Sequence, residues 1–99
     1  MKINELKRIA EENDYEFSKF FGDFHFTKRD SDNFISINGS DENSLWTSID
    51  IYCDDKDFNM LKAAVKFAET PIDKRGEKET YYLVKFSEKE IEAIKKNLI

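Results

Sequence analysis

The sequence predicts an α+β domain in which helices pack on an antiparallel β-meander, in the order α-β-β-β-β-α-β-α. Changes of apolar period are the main sign. Apolar residues recur at helical spacing near the start, alternate from Tyr15 to Cys53, and return to helical spacing from Phe58. Turn-forming clusters interrupt the alternating stretch, so its four strands read as consecutive hairpins. At 99 residues there is room for one core, and the expectation is a single domain over 1–99.

In "INELKRIAEEN" Ile3, Leu6, Ile9 and Ala10 share one helical face, and Asn13 and Asp14 act as stop signals. Tyr15 and Phe17 then lie on one side of a short strand, and "FGD" turns the chain at Gly22. "FHFTKR" sets Phe24 and Phe26 against His25 and Thr27, and "DSDN" makes the next turn because Asp, Ser and Asn bond their own backbone. "FISI" is a third strand, and "NGSDEN" carries the Asn-Gly pair common in hairpins. "SLWTSIDIYC" alternates Leu45, Thr47, Ile49, Ile51 and Cys53 against Trp46, Ser48, Asp50 and Tyr52.

The next helix reads with a stripe of Phe58, Leu61, Ala64, Val65 and Ala68, and Pro71 ends it. "IDKRGEKE" follows as a charged loop, with Lys74, Arg75 and Lys78 forming a small solvated basic turn. "TYYLVKF" is the last strand, and Ser87 to Glu90 open a terminal helix as a capping box. The expected core is Phe17, Phe24, Phe26, Ile35, Ile37, Leu45, Ile49, Ile51, Leu61, Val65, Tyr82 and Val84.

One cysteine, Cys53, excludes an internal disulfide and suits a reducing compartment. The charged N-terminus has no apolar core of a signal peptide, and no apolar run approaches the roughly 20 residues that span a bilayer. A cytoplasmic protein without a membrane partner is expected. The net charge of −5 is uneven: residues 23–57 carry −6 and residues 58–99 carry +2.

The three aspartates of "YCDDKDFNM" invite a calcium loop, with Asp55, Asp57 and Asn59 at its first, third and fifth positions. Met60 then stands where the sharp turn requires glycine, and Lys66 where a bidentate carboxylate is required. A helix start fits better: Asp54 caps the Asp57 amide, and the carboxylates face the positive end of the helix dipole. One Cys and one His make zinc implausible, and His25 with Cys53 has no third member for nucleophilic chemistry. No catalytic residue, metal or cofactor is expected. Aromatic strands invite base stacking, but the meander that carries them is the most acidic part of the chain, so no direct nucleic-acid partner is expected.

The segments "MKINELKRIAEENDYEF" and "CDDKDFNMLKAAVKFAETPIDKRGEKETYYLVKF" resemble small proteins encoded by phages and prophages of Gram-positive bacteria. That group has no assigned activity. The resemblance implies a phage accessory product acting in a bacterial cytoplasm. The expected function is non-catalytic binding and inhibition of a host protein such as a nuclease, a CRISPR effector or a transcription protein. Asp23, Asp30, Asp32, Asp41, Glu42, Asp50, Asp54, Asp55 and Asp57 would imitate nucleic acid in a basic groove. The alternative is a self-associating accessory or structural protein without a host target, joined as a homodimer through Trp46 and Tyr52, with Phe34 nearby, unless the terminal helix covers these rings.

Overall fold

The computed structural model describes residues 1–49 and 53–76. Helix α1 (Ile3–Glu12) leads into strands β1 (Tyr15–Phe20), β2 (Asp23–Lys28), β3 (Phe34–Ile37) and β4 (Leu45–Ser48). Helix α2 (Asp55–Glu69) and a 3-10 turn (Ile72–Lys74) follow. The strands pair in chain order, each pair antiparallel, and both helices pack on one face of the sheet. This is the α+β arrangement that the change of period predicts. The expected final strand and terminal helix lie outside the described residues, as do Asp50, Ile51, Tyr52, Lys78, Tyr82 and Val84.

Local chemistry sets each reversal. Asn13 donates its side-chain amide to the Ile9 carbonyl at 2.7 Å, and Asp14 then takes a left-handed turn, φ 60°, into β1. The β1–β2 turn consists of Phe21 and Gly22, both at positive φ, the geometry that suits a two-residue hairpin. The Asn-Gly pair before β4 works differently. It opens a longer loop, in which the Asn38 carboxamide oxygen accepts the Ser40 and Asp41 amides at 2.7 and 2.8 Å. A Cβ on Gly39 would stand 1.8 Å from the Gly22 carbonyl oxygen, so Gly39 answers to the close approach of two loops.

The core lies between the sheet and the helices. Phe24, Phe26, Ile35 and Ile37 are fully buried, while Phe17, Leu45, Ile49 and Leu61 pack at its margin. Ile3, Leu6 and Ala10 meet them from α1.

One expected core residue is misplaced. Val65 is 39% exposed, and Phe58 from the same predicted stripe is 51% exposed. The buried side of α2 is Asp57, Met60, Ala63, Ala64, Phe67 and Ala68, a rotation of about one residue or 100°. Two contacts set that rotation: Phe67 meets Phe24 edge-on at 5.0 Å, and Asp57 is drawn inward by buried donors.

Arg75 corrects the expected solvated basic turn, because it is buried. Its guanidinium donates to the carbonyls of Asn38, Ala68 and Thr70 at 2.7, 3.0 and 3.0 Å and lies over the Phe67 ring. Its own carbonyl accepts the Ile3 amide at 2.7 Å. A cation thus meets the negative end of α2 and ties it to the β3–β4 loop and to the start of α1.

Candidate functional site

Among the described residues, two places concentrate polar or aromatic groups beyond what packing alone requires. The first is a charged cluster under the start of α2. Asp54 and Asp57 form a reciprocal cap, each carboxylate accepting the other's backbone amide at 2.9 Å. The expected cap therefore exists, but Asp57 does more. Its Oδ1 accepts from Tyr15 Oη at 2.6 Å, Lys28 Nζ at 3.0 Å and Asn33 Nδ2 at 3.0 Å. Lys28 and Asp57 are both 4% exposed at the side chain, and Lys28 also reaches Asp54 at 3.3 Å.

Burial by itself pushes the Asp57 carboxyl upward. The hydrogen bonds from Tyr15, the Asp54 amide, Asn33 and Lys28 outweigh it and hold Asp57 far below the usual carboxylate range. The Tyr15 hydroxyl is driven up, first by burial and then by its bond to Asp57. Burial pulls Lys28 down, but its bonds to Asp57 and Asp54 leave it raised. Three donors crowd Oδ1 and the Asp54 amide bonds Oδ2, so the buried Asp57 carboxylate is engaged in joining segments of the fold. Perturbed charges often mark active sites; here they lock β1, β2 and the β2–β3 turn to α2.

The second place is the outer face of the sheet, away from the helices. The pairing register puts Glu16, Ser18, Phe20, Asp23, His25, Thr27, Phe34, Ser36, Trp46 and Ser48 on it. A chain of rings crosses all four strands. Phe21 meets Phe20 at 4.4 Å, Phe20 meets His25 at 5.5 Å, His25 meets Phe34 at 5.0 Å, and Phe34 meets Trp46 at 5.5 Å. Phe20, Phe21 and Trp46 are 57%, 91% and 60% exposed. Phe21 is also held at φ 50°, where a bulky side chain is strained.

The acidic candidates sit around this face and at its ends. Asp30 and Asp32 are exposed in the β2–β3 turn. At the opposite end Asp23 accepts the Gly39 amide at 3.0 Å, and exposed Asp41 and Glu42 lie in the β3–β4 loop, Glu42 accepting the Ile72 amide at 3.1 Å. The strands between hold these two ends about 20 Å apart, so the acids are not one array. Asp57 leaves the predicted acidic surface altogether, because Lys28, Tyr15 and Asn33 bury and satisfy it. Asp54 and Asp55 start α2. Trp46 and Phe34 meet as the alternation implies, while Asp50 and Tyr52 fall outside the described residues.

Sequence reasoning missed Phe20 and Phe21 as members of this face, and set His25 opposite the core phenylalanines without joining it to Trp46. The signal was present in "KFFGDFHF": an aromatic pair at a glycine turn, followed by a histidine opposite two core phenylalanines. No protein-family model, curated protein or solved structure matches this chain. Among the described residues, no group of three or more His, Cys, Asp or Glu could hold a metal, and no helix is long and apolar enough to cross a membrane.

Proposed function

We propose that this is a non-catalytic binding protein, a phage or prophage accessory product that docks on a host protein through the outer face of its sheet and so inhibits it. The observation that carries this reading is the exposed ring chain from Phe21 to Trp46. Exposed aromatic patches mark interfaces, and aromatic residues dominate binding hot spots. Phe21 strengthens the point, since its turn prefers Gly, Asn or Asp and its ring lies in water. A strained, exposed phenylalanine weakens folding, and contact with a partner offsets that loss.

Charge selects the partner. Asp30 and Asp32 at one end, with Asp23 and Asp41 at the other, border the apolar centre with acids, and Glu42 turns toward the 3-10 turn. That layout matches a host protein whose apolar site is bordered by lysine and arginine, such as one that handles nucleic acid. Rim charges speed association and make it fall with salt. The acids act here as a divided border rather than as one imitation of a phosphate backbone.

The test is affinity capture from a bacterial host extract at low and high salt, followed by rebinding of the purified partner. One basic partner is expected to bind wild type. It should bind more weakly when Asp30, Asp32, Asp41 and Glu42 become Asn or Gln, and not at all to Trp46→Ser. Phe21→Asn should also lose the partner, yet keep the folding stability or raise it by about 1 kcal/mol. A partner that rebinds Trp46→Ser and Phe21→Asn as well as wild type overturns the reading.

A further inference from the structure

We infer that, with no partner bound, the outer face of the sheet closes on a second copy of this chain in a weak two-fold dimer. The inference rests on the reading of this face as a docking surface and names the occupant that competes for it.

Area is the first argument. With roughly 150–250 Å² for each whole aromatic side chain, the exposed parts of Phe20, Phe21 and Trp46 leave about 300–500 Å² of apolar surface in water. Two copies would remove about twice that, before half-buried His25 and Phe34 are added, which approaches the roughly 1,000 Å² needed for a specific contact. A dimer of that size is weak and reversible.

Chemistry is the second. The polar groups between the rings are Ser18, Thr27, Ser36 and Ser48, and each hydroxyl both donates and accepts. A two-fold contact sets a surface against itself, so such groups find a match in any register where the rings interleave. No Lys or Arg occupies a described strand position on this face. Its two acids, Glu16 and Asp23, lie on the paired strands β1 and β2, away from Trp46 on β4. Asp23 pairs directly with Phe20, so a self-contact that takes in Phe20 and Phe21 keeps Asp23 at its solvated edge and has no charged strand residue at its middle, around Phe34 and Trp46.

Charge also sets the sign of the salt response. Two chains of −5 repel at long range, and salt screens that repulsion. Self-association should thus tighten as salt rises, whereas binding to a basic host protein should weaken.

Sedimentation of the purified full chain over about 5–500 µM, which spans weak affinities for a contact of this size, is the test. Wild type is expected to move from 11.7 kDa toward twice that mass, and to do so at lower concentration in high salt. Trp46→Ser and Phe21→Asn should each weaken association about tenfold or more, with far-UV circular dichroism unchanged. Val65→Ser is the control. It changes an exposed side chain in an open groove of about 630 Å³ between α1 and α2, on the opposite side of the molecule, and should associate as wild type does. A wild type that stays monomeric throughout, or variants of Trp46 and Phe21 that associate normally, overturn the inference and leave the host reading to its own capture test. A failed capture with an intact dimer overturns the host reading instead.

Discussion

Asp57 shows how one side chain can decide more than its type implies. A carboxylate buried with four donors is stable where it is, but removing one partner strands a charge in a dry site. Lys28→Met or Asp57→Leu alone is expected to cost about 3–5 kcal/mol in urea unfolding, while the double variant costs far less than the sum. The pH response follows from the direction of each shift. Folding holds Asp57 ionised more tightly than the unfolded chain does, so its contribution is complete above about pH 5 and is lost as pH falls below about 4. Tyr15 and Lys28 are shifted upward, so theirs is complete below about pH 9 and is lost as pH rises past about 10. Stability measured against pH should show both limbs in wild type, with the acid limb flattened in Asp57→Asn.

At the scale of an element, α2 has two possible apolar faces in its sequence. Phe58, Leu61 and Val65 make one, and Met60, Ala64 and Phe67 the other. Both satisfy the helical period, so periodicity cannot choose between them. Asp57 breaks the tie, because its bonds to Tyr15, Lys28 and Asn33 exist only when the second face turns inward. Phe67→Ala is therefore expected to cost about 3–5 kcal/mol, and Phe58→Ala no more than about 0.5 kcal/mol. Thermal or urea unfolding of the pair reads the rotation directly, and a larger loss from Phe58→Ala than from Phe67→Ala would place α2 in the other register.

At the scale of the whole molecule, the two ends of the meander are held by different chemistry. One end is joined by the Lys28–Asp57 cluster, where the β2–β3 turn meets the start of α2. The other is joined by Arg75, whose guanidinium reaches three carbonyls in two separate segments. Only a planar, multiply donating cation spans that arrangement. Arg75→Lys is expected to lose at least about 2 kcal/mol, because a single ammonium leaves buried carbonyls unpaired. A Lys variant as stable as wild type in urea would remove Arg75 from that role. With both ends held and the described helices on one side, the ring chain is left on the opposite face of the sheet, where Phe20, Phe21 and Trp46 are exposed.

The local code was legible along most of the described chain. Alternation of Tyr15 with Phe17, Phe24 with Phe26, Ile35 with Ile37 and Leu45 with Thr47 determined four strands and their inner face, Asp54 with Asp57 determined the start of α2, and Pro71 its end. These features depend on neighbours a few residues away, and a sequence displays such neighbours directly. Part of the candidate site was legible too, since Trp46 and Phe34 share a face by alternation alone. What the tertiary structure alone decided is which distant groups meet. Lys28 finds Asp57 across 29 positions and Arg75 finds Asn38 across 37, while Phe20 and Trp46 join one ring chain only because four strands set them side by side. A period assigns each residue a side of its own element; burial of charge and the pairing of strands determine what that side faces.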